Sequence, residues 1–489
     1  MGIAQKITNG ALWNFSGFIL RFIIGLISSV LFVRLLGQQD YGVITFIMSG
    51  VFFAGIVVNL GLGTVMTRSI AAFRGNGEEP PLLSMLEKIT LMRLVVIMLL
   101  VLIFWFSEDL AAMVNKPELG KYLPWIPLIV VSSYFQGTFK TLLTSYYEQK
   151  YLNYASVVEM VLKLGLVLAA ITLDTGITGF LAALLLSQLI NGFQLLHHAG
   201  KKILMHLSRY SRPVFMLRSH LKQAWHSFWV AISIRLLGRE SDVLLLGLFH
   251  ADIRQVAIYA VVFGLPNMIF EAFRQIIGGG LGLTAFTELV HSGNYSQLRT
   301  MYSRLIQFFM LLLLPAIIGG ALIGEDLAIM LYGLEYQGIM LPMAIMFFAL
   351  GWSTLNSITA DLLLAMNQEK NLMRAQMGVG LLNVVVNLVV IPDYGAMGVA
   401  MSTSVANVLL TIIEMWLIHQ AIRPEYPVRQ ILWYLVISVV MGVSVFLLPQ
   451  AFYWKMLVGM LVYGGLLYAM EFQIEKGQNI HWLLNARHA

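Results

Sequence analysis

An arginine lies within an otherwise apolar segment near the start of the chain. Residues 15–37 read FSGFILRFIIGLISSVLFVRLLG, and Arg21 lies near their middle. A guanidinium group can hold a phosphate through two parallel hydrogen bonds, but placing it at the centre of a bilayer costs roughly 2.5–3.5 kcal/mol. Such a side chain normally faces protein or a water-filled cavity. Arg21 therefore indicates an anion-binding role rather than contact with lipid tails.

The residues around Arg21 form a polar stripe on one helix face. Helical spacing places Asn14, Arg21 and Ser28 on this stripe, with Gly17 and Gly25 beside it. A stripe of polar and small residues predicts a cavity or a partner helix opposite it. Asn14 is therefore a second candidate substrate-binding residue.

The elements that position these residues are predicted to be membrane helices. Of 489 residues, 58% are hydrophobic and 11% are charged, and a water-soluble chain of this length could not bury so much apolar surface. A spanning helix needs about 20 mostly apolar residues. Fourteen such stretches occur, at residues 11–36, 43–67, 86–106, 122–147, 155–173, 176–197, 223–247, 255–283, 302–324, 339–366, 372–391, 395–419, 430–449 and 453–473. We predict an all-α, polytopic membrane protein of 14 transmembrane helices.

The basic residues of the loops predict the orientation. With the N-terminus in the cytoplasm, nineteen Lys and Arg residues fall in cytoplasmic segments and five fall outside, as expected for basic loops retained on that side. Both termini are therefore predicted to be cytoplasmic. The inner connection at residues 199–222 is basic and alternately apolar, which predicts a linker lying on the anionic inner leaflet. Recruitment of a substrate or a partner is the alternative role for this linker.

An internal repeat divides the chain. The segment YEQKYLNYASVVEMVLKLGLVLAAITLDTGITGF is echoed by NQEKNLMRAQMGVGLLNVVVNLVVIPDYGAMGVA, at offsets of 220 and 219 residues. Because the shift covers six spans, we predict two parallel six-helix lobes related by an axis along the membrane normal, an arrangement typical of transporters. The predicted domains are residues 1–198, the linker 199–222, residues 223–420, and residues 421–489 with two further helices and a tail.

Further charged residues within the predicted spans are candidates for a substrate or coupling site. At the repeat offset of 218, Arg21 is equivalent to Arg239. Spacing within one helix also allows three ion pairs, Glu159 with Lys163, Asp242 with Arg239, and Glu271 with Arg274. The candidate substrate-binding residues are Arg21, Arg239, Arg235, Arg93, Arg274 and Asn14, and the candidates for ion coupling or a gate are Glu271, Asp361 and Glu414. We expect the remaining cavity charge to be positive, although each arginine could instead be a structural contact.

Other chemistry has little support in the sequence. The chain has no cysteine, so it has no disulfide and no thiolate metal site. GGGLGL, which begins at residue 278, lacks the Lys and Ser or Thr of a phosphate-binding loop. We expect no cofactor, no metal site, no catalytic residues and no nucleic-acid partner, and we expect a monomer.

The chain resembles a known superfamily. The segments GALWNFSGFILRFIIGLISSVLFVRLLGQQDYGVITF, NLGLGTVMTR and IYAVVF are similar to the polysaccharide branch of the MOP exporter superfamily, the Wzx-type flippases, which are related to lipid II flippases and MATE antiporters. The resemblance implies that an undecaprenyl-pyrophosphate-linked oligosaccharide, such as an O-antigen, capsule or exopolysaccharide repeat unit, is moved from the inner to the outer leaflet of the bacterial inner membrane by alternating access. It also implies membrane lipids, H⁺ or Na⁺, and polysaccharide polymerase and chain-length proteins as candidate partners.

Two other functions remain open at this stage. A MATE-like exporter of cationic drugs would need an acidic cavity, and it usually has twelve spans. A membrane oligosaccharide polymerase or ligase would need a substantial outer loop for its catalytic groups, and the predicted outer loops are short. The sequence therefore favours a flippase over an enzyme.

Overall fold

A computed structural model describes most of the chain as helix. It describes residues 3–76, 80–207, 215–277, 281–448 and 452–474, and these contain sixteen α-helices and no strand. The helices are α1 (Ile3–Asn59), α2 (Leu62–Gly75), α3 (Leu82–Trp105), α4 (Ser107–Met113), α5 (Trp125–Ser145), α6 (Gln149–Thr172), α7 (Gly176–Leu207), α8 (Leu221–Arg235), α9 (Arg239–Phe249), α10 (Arg254–Ile277), α11 (Leu281–His291), α12 (Tyr295–Tyr332), α13 (Met340–Ala365), α14 (Glu369–Ile422), α15 (Val428–Phe446) and α16 (Phe452–Ile474).

The helices confirm the predicted all-α class. Among the described residues, ten helices are long and apolar enough to cross a membrane. Two of them, α1 and α14, each contain a residue with non-helical backbone angles, Gly37 and Gly395. Gly37 lies between the first two predicted spans and Gly395 begins the twelfth. Each of the fourteen predicted stretches overlaps one or two helices, while the count of fourteen spans stays a prediction.

Special backbone positions recur at the repeat offset. Tyr147 and Asn367, which are 220 residues apart, both adopt left-handed angles (φ 60° and 59°) just before α6 and α14. Gly176 and Gly395, which are 219 residues apart, also have positive φ angles (61° and 51°). Non-glycine residues rarely adopt these angles. Their recurrence at one offset supports the repeat that the sequence indicates.

The chain forms two compact units. The first comprises residues 1–260 and 384–395, and the second comprises residues 261–383 and 396–489. Helices α8 and α9 thus belong to the first unit, although they follow the predicted linker in sequence. The predicted domain boundaries stay a prediction.

The linker is anchored in the core of the first unit. Helix α7 continues to Leu207, inside the predicted linker. Phe215 is 2% exposed and belongs to a buried apolar cluster with residues of α2, α3, α5, α6 and α7. Two side chains of α3, one turn apart, hold its backbone, since Ser84 accepts from its N–H at 3.0 Å and Lys88 donates to its carbonyl at 2.5 Å. This part of the linker is therefore packed against protein.

A buried lysine donates a hydrogen bond to a carbonyl group in the last turn of α9. Lys116 lies between α4 and α5, is 3% exposed, and donates from Nζ to the carbonyl of Gly247 at 2.6 Å. A cation is favourable at a helix C-terminus, where carbonyl groups lack helical partners. Burial lowers the pKa of Lys116, and the charges of Glu118 and Asp252 oppose that shift only in part.

The last helix, α16, is held against α12 in the second unit. Tyr463 of α16 donates to the carbonyl of Leu311 at 2.6 Å, and Lys455 pairs with Asp326 at 2.8 Å. Pro315 lies within α12. Because proline lacks an N–H, the carbonyl four residues earlier, that of Leu311, loses its helical partner. Tyr463 therefore supplies the hydrogen bond that Pro315 removes.

Candidate functional site

Arg21 is held by a neutral amide at one end of α6. Its Nη1 donates to Oδ1 of Asn153, a buried residue in the first turns of α6. Gly17, one turn earlier on α1, leaves room for this contact. A Cβ at Gly17 would lie 2.7 Å from Oδ1 of Asn153 and 3.2 Å from Nη1 of Arg21. Asn14, the other candidate on this stripe, lies outside the residues whose side chains the structure describes.

Arg93 is buried among neutral groups. It is 3% exposed, and its guanidinium donates to Oδ1 of Asn59 at 2.8 Å and to Oγ1 of Thr138 at 3.3 Å. The guanidinium also lies 4.1 Å from the centre of the Tyr134 ring, a cation–π distance. The same Asn59 oxygen accepts from the backbone of Gly63 at 3.2 Å. Arg93 thereby connects α3 to the break between α1 and α2.

The seventh predicted span is interrupted beside its two arginines. Helix α8 ends at Arg235 and α9 begins at Arg239, with Gly238 in an extended conformation. Arg235 is exposed, and its guanidinium lies 4.7 Å from the centre of the Phe52 ring. Arg239 is half-buried, and its Nε has no hydrogen-bond partner among the described residues. Helix α1 continues without a break through Arg21, so the two repeat-equivalent arginines occupy different local structures.

A buried carboxylate near Arg239 has neutral partners. Asp242 is 0% exposed, accepts from the Tyr259 hydroxyl at 2.5 Å and accepts from Nδ2 of Asn387 at 3.0 Å. Of the described ion pairs, none joins it to Arg239, although the two residues are three apart on α9. Asn387 and Tyr259 are neutral, so the spacing of charged residues in the sequence does not indicate them.

The Glu159–Lys163 pair does not form either. Gln136 of α5 donates to the Glu159 carboxylate at 2.7 Å and to Oδ1 of Asn191 at 2.8 Å. The described ion pairs do not include Glu159 with Lys163. Glu159 therefore accepts a hydrogen bond from Gln136, which in turn contacts Asn191 of α7. Both amides could have been found in the sequence as polar residues inside apolar stretches.

The predicted pair on α10 is confirmed. Arg274 contacts Glu271 at 2.7 Å and also donates to Oδ1 of Asn267 at 3.0 Å and to Oγ1 of Thr354 at 3.2 Å. Gln275 donates to the second oxygen of Glu271 at 2.9 Å. The charge of Arg274 is thus compensated within its own helix, unlike the charges of Arg21 and Arg93.

The other two candidate acids lie on α13 and α14. Asp361 is half-buried, and its Oδ2 lies 3.3 Å from the position that a Cβ of Gly282 would occupy. Glu414 is 0% exposed and accepts a hydrogen bond from Oγ1 of Thr359. Its other oxygen, Oε1, has no hydrogen-bond partner among the described residues.

When residues within three positions of a span end are set aside, the charges inside the predicted spans are divided unequally between the two units. The first unit contains six basic residues, Arg21, Arg93, Lys140, Lys163, Arg235 and Arg239, and three acidic residues, Glu159, Glu240 and Asp242. The second contains one basic residue, Arg274, and three acidic residues, Glu271, Asp361 and Glu414. The first unit is thus suited to attract an anion, and the second to attract a cation.

The fold is that of the MOP transporters. The chain is similar to the lipid II flippase MurJ in an inward closed conformation (TM-score 0.76, 16% identity, covering 95% of this chain and 99% of MurJ). It is also similar to an inward-facing multidrug resistance MATE transporter (TM-score 0.65, 14% identity, 82% and 94% covered). A MOP superfamily transporter from Pyrococcus furiosus, described by the reverse polarity of its binding pocket, matches with a TM-score of 0.58 (13% identity, 85% and 95% covered).

The sequence identifies the family within this fold. A profile of polysaccharide biosynthesis proteins matches residues 7–278, more than half of the chain. The chain therefore belongs to the polysaccharide biosynthesis protein family, and the predicted resemblance to the polysaccharide branch of the superfamily is confirmed. A sequence comparison with curated proteins finds no match. The many apolar helices and the transporter fold identify an integral membrane protein.

Proposed function

We propose that this protein is a flippase that moves an undecaprenyl-pyrophosphate-linked oligosaccharide from the inner to the outer leaflet of the bacterial inner membrane. Its family and its likeness to the lipid II flippase support a lipid-linked substrate. Sugars cannot cross hydrocarbon unaided, so a wet cavity that opens to each side in turn would shelter them while the prenyl tail stays in lipid. Both termini would lie in the cytoplasm, as the loop charges predict.

One observation supports the proposal that the substrate carries an anionic pyrophosphate group. Four arginines of the first unit form no ion pair with a carboxylate among the described residues. Arg21, Arg93 and Arg235 contact neutral groups, and Nε of Arg239 has no hydrogen-bond partner there. An uncompensated guanidinium at membrane depth is costly, and a pyrophosphate would compensate several at once. Arg21 and Arg239 are the best candidates, because Arg93 is already enclosed by Asn59, Thr138 and Tyr134.

The same charges argue against the alternatives. An excess of basic residues in the first unit is unfavourable for a cationic drug, the cargo of a MATE-like exporter. The family and fold are of a transporter type, and we infer that the protein is not a polymerase or ligase. Purified protein incubated with lipid-linked repeat units should therefore leave them unpolymerised.

Alanine variants test the proposal in cells. In a strain that lacks the chromosomal copy, Arg21→Ala and Arg239→Ala should each abolish surface polysaccharide without reducing the amount of protein, and the Lys variants should retain partial activity. Lys140→Ala removes one positive charge from an exposed side chain of α5, and it should leave transport intact. Normal surface polysaccharide in both arginine-to-alanine variants would remove these residues from the site.

A further inference from the structure

A cavity of about 570 Å³ lies in the first unit beside the start of α8. It is lined by Lys88 of α3 and by Met216, Leu217, Arg218 and Ser219, which belong to the segment that precedes α8. None of these described lining residues is acidic, and two of them are cations. The cavity is therefore suited to an anionic group.

The segment that lines the cavity is held by local contacts. The buried ring of Phe215 stacks on the ring of His220, with their centroids 4.9 Å apart. The hydroxyl of Ser219 donates to the carbonyl of Met216 at 2.7 Å, and Nδ1 of His220 lies 3.1 Å from the same oxygen. A site that is ordered before binding loses less conformational entropy when a ligand binds. This segment therefore presents its side chains to a ligand in a fixed arrangement.

Both cations of the cavity keep hydrogen-bond donors for a ligand. Among the described residues, Lys88 donates one hydrogen bond, to the carbonyl of Phe215 at 2.5 Å, and an ammonium group has three donors. Arg218 is exposed, and its guanidinium has no hydrogen bond, ion pair or ring contact among the described residues. Hydrogen bonds from such cations to phosphate oxygens are about twice as strong as neutral ones. A phosphodiester would therefore satisfy both groups.

The cavity lies at the predicted boundary between the cytoplasm and the membrane. The predicted spans 86–106 and 223–247 begin close to Lys88 and Arg218. Trp225 is exposed two turns after Arg218, and tryptophan is enriched where headgroups meet hydrocarbon. The predicted topology places this boundary on the cytoplasmic side, where anionic lipids give the leaflet surface a negative potential. A lipid headgroup is therefore at the right depth to reach the cavity.

An exposed apolar stripe continues from Lys88 along α3. Leu91, Val95, Met98 and Leu102 are each more than half exposed, and their spacing of three or four residues places them on the same helix face as Lys88. At about 1.5 Å per residue, the rise from the first to the last of these four residues is about 16 Å. This length is close to half of the roughly 30 Å hydrocarbon core. The stripe therefore matches the acyl chains of one leaflet.

We propose that this cavity binds an anionic glycerophospholipid of the cytoplasmic leaflet, with its phosphodiester on Lys88 and Arg218 and its acyl chains along the exposed stripe of α3. A water-soluble anion would use the two cations but not the apolar stripe. A lipid-linked pyrophosphate has a prenyl chain longer than the stripe, and the proposed function assigns its charge to Arg21 and Arg239. The bound lipid would connect α3 to the segment before α8 and so stabilise the first unit. This binding does not depend on the proposed flippase function.

Lipid binding to the purified full-length protein tests the site. Native mass spectrometry counts the molecules of phosphatidylglycerol that the protein retains during a titration, and phosphatidylcholine with the same acyl chains is the control lipid. We expect one phosphatidylglycerol to bind more tightly than phosphatidylcholine. Arg218→Gln should raise the Kd for phosphatidylglycerol about tenfold, the effect of losing roughly one charge-assisted contact. Arg299→Gln removes the same charge from an exposed position of α12, outside the cavity, and should leave the Kd unchanged.

A second variant and a competitor complete the test. Lys88→Gln should also weaken phosphatidylglycerol binding, whereas Lys88→Arg should retain it, and the Tm of each variant shows whether it folds. Equal affinity for the two lipids would overturn the proposal, as would a preference for phosphatidylglycerol that survives in both Arg218→Gln and Lys88→Gln. Displacement of bound phosphatidylglycerol by equimolar undecaprenyl pyrophosphate would also overturn it and assign the cavity to the transport substrate. If phosphatidylglycerol binds but no lipid-linked oligosaccharide is moved, the flippase proposal fails while the lipid site stands.

Discussion

The contact between Arg21 and Asn153 can be disturbed without removing either residue. Gly17→Ala adds one methyl group, which would lie 2.7 Å from Oδ1 of Asn153 and 3.2 Å from Nη1 of Arg21. The first distance is shorter than real Cβ contacts, so the amide and the guanidinium must move. Gly25→Ala is the matched control on the same helix face, since its Cβ would lie 3.7 Å from Cε of Met160, an ordinary contact.

The expected loss follows from the energy of one charge-assisted contact. Both substitutions should favour the helix by about 1 kcal/mol, because alanine has a higher helix propensity than glycine. Displacing the guanidinium from a phosphate loses about 1.5–3 kcal/mol, which corresponds to roughly 10- to 150-fold weaker substrate binding. Only Gly17→Ala should show this loss, because Gly25→Ala leaves Arg21 in place.

The assay is flipping of lipid-linked oligosaccharide in proteoliposomes at substrate concentrations below saturation. The amount of protein and the Tm of both variants should match the wild type within a few degrees, so that any difference in transport reports the site. Equal transport by Gly17→Ala and Gly25→Ala would refute the argument that the position of Arg21 matters. Equal loss in both would show a general sensitivity of α1 to bulk.

Two further predictions concern stability. Tyr463→Phe removes the only side-chain donor to the Leu311 carbonyl that we find in the described residues. The loss of this hydrogen bond should lower the free energy of unfolding by about 1–3 kcal/mol and lower the Tm. The control, Tyr468→Phe on the exposed face of α16, should have no effect. Between the lowered pKa of Lys116 and its ordinary value of 10.5, the unfolded chain binds more protons than the folded chain, so stability should rise with pH across that window. Lys116→Met should remove this rise in stability, whereas Lys121→Met, at an exposed neighbouring position, should keep it. Identical pH profiles for the wild type and Lys116→Met would contradict the conclusion that burial lowers the pKa of Lys116.

Most helix positions could be predicted from the sequence because a long apolar stretch in a membrane must satisfy its backbone hydrogen bonds as a helix. Gly37 and Gly395 interrupt α1 and α14 close to the predicted loops, since glycine adopts left-handed angles at little cost. The break before Arg239 was not predicted. It lies within the apolar stretch 223–247, and a single glycine there does not distinguish a break from a continuous helix.

Side-chain partners were predictable only within one helix, and not always there. Glu271 and Arg274 form the predicted pair, whereas Asp242, at the same spacing from Arg239, contacts Tyr259 and Asn387 instead. Spacing shows which residues can meet, while the packing of neighbouring helices decides which do meet. For this reason Asn153, the partner of Arg21, could not be found from the sequence alone.

The burial of Phe215 in the first unit should hold together two fragments of a chain cleaved before this residue. Fragments 1–207 and 215–489 would each lack part of the first unit, because the second fragment contributes Phe215 and Ala224 to the same buried cluster as Leu62 and Leu152. Exposure of that apolar surface would be costly for either fragment alone, and burying it again would draw the two together. Co-expressed halves should therefore complement one another, and replacing Phe215 with a charged residue should prevent their reassembly.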